Sequence, residues 1–274
     1  VTGTAVTDGL TVAGNVSVNG GTIKLDGNYP VGTRNVALGD TALDSPSLTG
    51  GENTAIGHEA LGSNTSGVGN TALGRSGLFN NTTGSYNSAV GFSSLVANTT
   101  GGSNSAFSSE VLQANTTGSR NTGVGRQALK SNTTASNNTA VGYASLGANT
   151  TGTQNVAVGA YALDANISSN NSTAIGYSAL SLNTGASNTA VGSQAMLDNT
   201  SGINNTAIGV NSLTNNTTAS FNIALGGSSL QANTTGASNT AVGYTALTAN
   251  TTASNNTAVG YRSLLANTTA SNNT

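Results

Sequence analysis

Apolar and polar positions recur at a fixed spacing along this chain from Asn35 to Ala266. The unit at residues 138–149, NTAVGYASLGAN, is a clean copy of a pattern that occurs fourteen times, and its Gly position, which Ser108 occupies once, recurs after 17 residues in eleven of thirteen steps. A period this short leaves no room for the two helices of an α-helical repeat, whereas it is close to one coil of a β-solenoid. Because Gly, Asn, Thr, Ser and Val favour turns and strands, the pattern predicts an all-β fold. We expect a parallel β-solenoid, or β-roll, of about 14 coils.

Three columns of aligned residues predict the core. The Ala column, to which Ala140 belongs, holds Ala in every coil except at Gly123, and the residue after it, the Val column, is always apolar. The Leu column lies four residues after the Gly and holds Leu in every coil except at Met196. Neighbouring strand residues point to opposite faces, so the Ala and Val columns predict a sheet covered on both faces. One face packs inside the coil; we expect another copy of the chain to cover the other, which makes the protein a homo-oligomer. Phe107 belongs to the Val column and is expected in the core.

Two Asn columns flank these apolar columns. The first begins at Asn35 and is interrupted once, by Ser172, and the second runs from Asn64 to Asn267. Stacked amides bond to one another and to turn backbone, so both columns predict structural ladders. Glycosylation of the Asn-Thr-Thr sites is a less favoured alternative. The connecting turns, as at residues 233–239, are expected to face solvent and to tolerate changes in length.

Residues 1–34 do not follow the repeat. They alternate apolar and polar residues between glycines, which predicts a separate N-terminal β segment, either a hairpin or a small β-prism. Residues 35–274 form the predicted solenoid domain. Its last residues, Asn273 and Thr274, open a fifteenth repeat, so we expect the chain to be truncated within that repeat.

The units at residues 138–143 and 87–91 resemble the Asn-Ser-Val-Ala-Ile-Gly repeats in the heads of trimeric autotransporter adhesins. Residues 14–21 resemble short β segments of bacteriophage tail fibres. The solenoid part of this resemblance covers about 240 residues. It implies a left-handed parallel β-roll, three chains side by side, and a role in attachment on a virion tail fibre or an extracellular surface. The longer coil of 17 residues, the Leu column and the second Asn column depart from the adhesin pattern.

Charge is scarce. Only 6% of residues are charged, the net charge is -2, and no Lys or Arg lies between Lys130 and Arg262. Binding of nucleic acid depends on neutralising phosphates, so we do not expect a nucleic-acid partner. The chain has no Cys, which excludes disulfides and thiolate metal sites. No apolar run reaches the length of a membrane span, so membrane insertion is not expected.

Catalytic residues are not evident. His58 is the single His, and although Glu52 and Glu59 are near it in sequence, it occupies a variable position on the predicted surface. Asp40 and Asp44 near Glu52 could hold a cation, but solvated charge is the simpler interpretation. We therefore predict no enzyme activity, cofactor or metal.

Recognition residues are expected in the post-Gly column, the position that directly follows the Gly. Its aromatic and Arg members could contact a cell-surface glycan or a protein receptor, because such side chains dominate recognition surfaces. They could also simply cap the edge of the roll. The candidates are Arg75, Phe92, Arg126, Tyr143, Tyr177, Tyr244 and Tyr261.

Three functions are consistent with these observations. The favoured one is a structural fibre and adhesion module that mediates attachment to a host or a surface. An ice-binding solenoid is the first alternative, because paired turn threonines recur at the coil spacing, as at residues 99–100, 116–117 and 133–134. The second is the scaffold of a depolymerising tailspike.

Overall fold

The structure is a computed structural model that describes residues 33–274. The predicted N-terminal β segment therefore lies almost entirely outside the described residues. In the described part the chain forms fourteen strands of three residues each and no helix. The strands are β1 (Val36–Leu38), β2 (Thr54–Ile56), β3 (Thr71–Leu73), β4 (Ser88–Val90), β5 (Ser105–Phe107), β6 (Thr122–Val124), β7 (Thr139–Val141), β8 (Val156–Val158), β9 (Thr173–Ile175), β10 (Thr189–Val191), β11 (Thr206–Ile208), β12 (Ile223–Leu225), β13 (Thr240–Val242) and β14 (Thr257–Val259).

The fourteen strands form one parallel sheet in sequence order. Each strand pairs with the strands of the coils before and after it, so that Ala140 lies opposite Ala157 and Val141 opposite Val158. Residues of one column in the sequence are therefore neighbours in one ladder of the sheet. The predicted parallel β-solenoid and its 17-residue period are confirmed.

Each coil contains only this one short strand, and the rest of the coil is turn. Coil-to-coil hydrogen bonds nevertheless continue through the turns. The Leu146 N–H donates to the Ala162 carbonyl at 3.0 Å in the next coil, and the Tyr161 N–H donates to the Tyr143 carbonyl at 3.0 Å in the coil before. The backbone is thus bonded to both neighbouring coils outside the sheet as well as within it.

The turns depend on left-handed backbone. Gly142 has φ 133°, and a Cβ atom there would lie 2.6 Å from the carbonyl carbon and oxygen of Gly159 in the next coil. More unexpectedly, every member of the Leu column has a positive φ, as Leu146 does at 49°. This conformation costs a bulky residue about 1–2 kcal/mol. It is stable here because the side chain is fully buried and the N–H is bonded to the next coil.

The core is a narrow stack of small and aliphatic side chains. Ala140 and Leu146 are fully buried, as are nearly all members of their columns, and the position before the Leu is filled by Ala, Ser, Gly or Val111. Met196 is also fully buried, which confirms its place in the core. The Val column points outward. Phe107 is consequently 43% exposed in the chain, and the expectation that it lies in the core is wrong for the single chain.

Candidate interaction surfaces

Two ladders of buried Asn side chains hold successive coils in register. In the first column, Asn104 Nδ2 donates to Asn87 Oδ1 at 3.1 Å and to the Gly118 carbonyl at 2.9 Å. In the second, Asn98 Nδ2 donates to Asn81 Oδ1 at 2.7 Å and to a turn carbonyl. Because most of these amides bond both to a neighbouring amide and to turn backbone, the predicted structural ladders are confirmed. These ladders fix the positions of the outward side chains described below.

The second ladder has one fault, at the coil that is shortened to 16 residues between Gly176 and Gly192. There Asn183 Nδ2 donates to the Gly185 carbonyl at 2.7 Å, two residues away instead of the usual three, so the missing residue belongs to the turn. Asn183 no longer reaches the preceding coil, and the Oδ1 atom of Asn166 is buried without a hydrogen-bond partner. The prediction that turns absorb length changes is confirmed, at the cost of one broken rung.

The outward face of the sheet carries two side-chain columns. The Val column is half-buried to exposed along the chain, reaching 62% at Leu38 and 69% at Val259. Beside it runs the Thr column, which is the first residue of each strand and is Thr in nine of the fourteen strands. Among the described residues, no hydroxyl of this column makes a side-chain hydrogen bond. The face is therefore a continuous stripe of apolar side chains, most of them β-branched, and of hydroxyls that make no side-chain hydrogen bond.

The aromatic candidates of the post-Gly column lie on the surface and meet in separate groups. The guanidinium of Arg75 lies 5.9 Å from the Phe92 ring centroid. The Tyr244 and Tyr261 rings stack at 6.1 Å near the last strand, with the Arg262 guanidinium 6.0 Å from the Tyr261 ring.

Tyr143 and Tyr177, in contrast, are joined by a ring that sequence analysis did not single out. The Tyr161 ring centroid lies 5.4 Å from that of Tyr143 and 6.2 Å from that of Tyr177, and both contacts are edge-to-face. In this coil Ala160 occupies the post-Gly position, and Tyr161 is the residue after it. The sequence feature that could have indicated this contact is the small residue at the post-Gly position followed by a large aromatic residue. We call Tyr143, Tyr161 and Tyr177 the tyrosine strip.

Arg126 belongs to a polar cluster on the coils that precede the tyrosine strip. Glu110 Oε2 accepts a hydrogen bond from Gln127 Nε2 at 2.8 Å, and it lies 3.5 Å from Lys130 Nζ and 3.8 Å from Arg126 Nη2. The Gln127 hydrogen bond, assisted by the Lys130 and Arg126 charges, lowers the pKa of the Glu110 carboxyl despite some desolvation. One hydrogen bond and two ion pairs thus gather these side chains around Glu110 at the surface.

The acidic residues near His58 are not gathered into one site. His58 is exposed, with Nε2 3.8 Å from Asp40 Oδ2 and Nδ1 3.5 Å from Glu59 Oε2. Glu52 instead pairs with Arg34 at 2.5 Å. Asp44 is exposed and shares no ion pair with them. Within residues 33–274, no three His, Asp or Glu side chains meet in a way that could hold a metal ion.

The paired turn threonines divide into two roles. Thr99 Oγ1 donates to the Thr116 carbonyl at 3.0 Å, and Thr116 Oγ1 repeats this bond one coil later. The second member of each pair, as at Thr100 and Thr117, is exposed. The second Thr of each pair therefore forms an outward ladder, as the ice-binding alternative requires.

Comparison with known proteins adds no relative. No family model, curated protein or solved structure matches the chain. In the part of the chain that the structure describes, no helix is long and apolar enough to cross a membrane.

Proposed function

We propose that this chain is a rigid fibre and adhesion module that associates with copies of itself through the outward sheet face. Three copies side by side would form a shaft of the kind found in phage tail fibres and surface adhesins, carried on a virion or a cell surface and serving attachment. The observation that carries this proposal is the exposed Val column, which follows one face of the sheet through all fourteen coils.

An apolar stripe of this kind favours self-association. Monomeric proteins rarely leave a long contiguous apolar surface in contact with water. The stripe has no charged residue in either of its two columns, so a second copy could approach without a desolvated charge. Each apolar group removed from water would contribute about 25 cal/mol per Å².

Cyclic symmetry suits the repeat. If copies are related by an axis parallel to the solenoid, every coil meets the same coil of its neighbour, and one favourable contact is repeated along the whole length. Parallel alignment also keeps the outward columns in register. The number three comes from the resemblance to trimeric adhesin heads and fibre segments.

A spacer role accords with the dimensions and the bonding. Fourteen coils at a strand spacing of about 4.8 Å give a rod of roughly 65 Å. Hydrogen bonds between coils occur in the strands, the turns and both Asn ladders. Bending the rod would break several of these hydrogen bonds at once, so the module is stiff enough to act as a spacer.

Substitution of the outward face tests the proposal. Ile208→Asp places a carboxylate in the Val column at a residue that is 43% exposed in the chain, so the isolated fold can accept it in water. Three like charges brought together at an interface would oppose association. We expect the mass measured by light scattering to fall to that of one chain.

Thr235→Asp is the matched control, because it adds the same charge on an exposed turn away from the sheet. It should leave the mass unchanged. An Ile208→Asp variant that keeps the oligomeric mass of the parent would contradict an interface on this face.

Ice binding is a second candidate, and the Thr column favours it. Free Thr hydroxyls and β-branched methyl groups alternate across a regular parallel sheet, as at Thr139 and Val141. This face differs from the turn ladder on which the sequence-based hypothesis relied. The two candidates use the same surface, so a monomer that slows ice recrystallisation would support ice binding, and an oligomer that has no such effect would support the fibre.

A further inference from the structure

The tyrosine strip is an exposed aromatic surface that is separate from the two columns proposed for self-association. Its rings are exposed by 41% at Tyr143, 38% at Tyr161 and 54% at Tyr177. They come from three successive coils and touch edge-to-face at 5.4 and 6.2 Å. They follow the Gly that comes after each strand, and they are therefore outside the two columns of the outward sheet face. A row of touching, exposed rings is a recognition surface in its own right.

The rings are held in place before any ligand arrives. The Tyr161 N–H donates to the Tyr143 carbonyl, and the Tyr161 backbone has φ 59°, fixed by its neighbouring coils. Ring contacts restrict the two side-chain torsions of each tyrosine further. A ligand would therefore lose little binding free energy to ordering these side chains.

The strip is nearly free of charge. Over residues 139–190 the only ionisable side chain other than the tyrosines is Asp164, whose Oδ1 accepts a hydrogen bond from Ser181 Oγ at 2.6 Å. Nucleic acids and anionic lipid surfaces need clustered Lys and Arg, which this stretch lacks. An uncharged partner therefore fits the strip better than an anionic one.

Hydrogen-bonding groups lie at both ends of the strip. On the coil before Tyr143, Gln127 donates a hydrogen bond to the carboxylate of Glu110 and Arg126 forms an ion pair with it. On the coil after Tyr177 are Ser193 and Gln194. Aromatic rings flanked by amide and guanidinium groups are suited to binding a sugar. The C–H face of a sugar ring packs on an aromatic ring, and its hydroxyls form hydrogen bonds with the polar groups beside it.

We propose that the tyrosine strip binds a linear, uncharged polysaccharide that lies along the solenoid axis. Successive sugar units would contact successive coils, which are about 4.8 Å apart, so that one chain of sugars spans the three rings. Arg126 and Gln127 would donate to hydroxyls of a unit that extends past Tyr143. The biological meaning of this site, although not its existence, rests on the proposed attachment role.

Affinity electrophoresis tests the proposal in native gels that contain dextran, galactomannan or mixed-linkage β-glucan, with alginate as an acidic polysaccharide. We expect at least one neutral polysaccharide to retard the protein. Tyr161→Ala should weaken that binding about tenfold, because it removes the central ring and the contacts that orient the other two. The combined variant Tyr143→Ala/Tyr161→Ala/Tyr177→Ala should abolish it.

Tyr86→Ala is the matched control, because Tyr86 is 66% exposed and its ring touches no other aromatic ring among the described residues. It should bind as the parent does. Absence of retardation in all three neutral gels, retardation by alginate alone, or equal binding by the triple variant would each overturn the proposal.

The mass of the triple variant separates this proposal from the proposed function. If the variant loses polysaccharide binding and keeps its oligomeric mass, the strip is a ligand site. If it loses its oligomeric mass, the strip belongs to the subunit interface and the glycan proposal fails. Failure of self-association in the parent, with polysaccharide binding intact, would refute the fibre alone.

Discussion

Removal of one amide from the first Asn ladder should destabilise the solenoid measurably. Asn104 is fully buried and its Oδ1 accepts hydrogen bonds from the backbone N–H of Asn121 at 3.0 Å and from Asn121 Nδ2 at 3.2 Å. In Asn104→Ala the Asn121 N–H has no other acceptor. A buried donor left without a partner costs about 1–3 kcal/mol.

The other groups that Asn104 contacts keep partial compensation. The Gly118 carbonyl still accepts from Asn115 Nδ2 at 3.0 Å, and Asn121 Nδ2 still donates to the Ala135 carbonyl at 2.8 Å. Loss of the remaining hydrogen bonds therefore lowers the free energy of unfolding by less than the unpaired Asn121 N–H does. We expect a total decrease in the free energy of unfolding of about 2–4 kcal/mol.

Asn104→Asp should be worse at neutral pH, although the side chain keeps its shape. The carboxylate replaces the Nδ2 donor and would face two acceptors, Asn87 Oδ1 and the Gly118 carbonyl. A buried charge that faces oxygens is not compensated, so Asn104→Asp should lose more stability than Asn104→Ala.

Guanidinium unfolding followed by far-UV circular dichroism gives the global effect. Because repeat arrays can open locally, hydrogen exchange measured by mass spectrometry on the peptide containing Asn121 gives the local one. The control is Asn215→Ala, which removes an exposed amide that makes no hydrogen bond among the described residues. It should change stability by less than about 0.5 kcal/mol. If Asn104→Ala matched this control in both assays, the ladder would not contribute to stability as argued.

Three further predictions follow from the turns, the polar cluster and the ladder fault. Gly142→Ala should weaken the stacking of its coil and lower the melting temperature, because the added Cβ would lie 2.6 Å from the backbone of Gly159. The same column accommodates Ser108 at φ 129°, so the variant should still fold, and an unchanged melting temperature would contradict the prediction. Glu110 has a lowered pKa in the folded chain, so its contribution to stability is present above its unfolded pKa and is lost as the pH falls through its folded pKa. Glu110→Gln should therefore remove this part of the loss of stability in acid, measured by thermal melts between pH 3 and 6. A variant whose melting temperature depends on pH as the parent's does would contradict the prediction. The coils around Ser172 should exchange amide hydrogens faster than the regular coils around Asn155, because the rung next to Asn166 is broken, and equal protection in both would argue against this.

The repeat pattern was sufficient to predict most of the fold. A fixed period places equal residues in one ladder, so parallel pairing, buried Ala140 and stacked Asn side chains all followed from the columns. Strand alternation predicted that the Ala and Val columns face opposite ways, but it did not predict which of the two points outward.

The turn conformation could not be predicted in the same way. Leu disfavours left-handed backbone, and local propensity therefore gives the wrong answer for Leu146, whose φ is imposed by bonds to the neighbouring coils. The limits of each strand are also set by these bonds, which is why one three-residue strand per coil was not foreseen.

The candidate recognition residues were predicted only in part. The post-Gly column identified Tyr143 and Tyr177 because an aromatic residue recurs at that position. Tyr161 lies one residue later, and its contact with both depends on the small side chain of Ala160 and on the coil spacing, which are properties of the folded chain. The tyrosine strip therefore emerges only when three coils are stacked.

The most direct test of the central proposal is the mass of the unmodified chain in solution, measured by light scattering coupled to size exclusion. We expect a mass of three times 26.6 kDa, with the Val columns of three chains covered against one another. A stable species of 26.6 kDa across the concentration range would mean that the outward face stays in water, and it would contradict the fibre proposal.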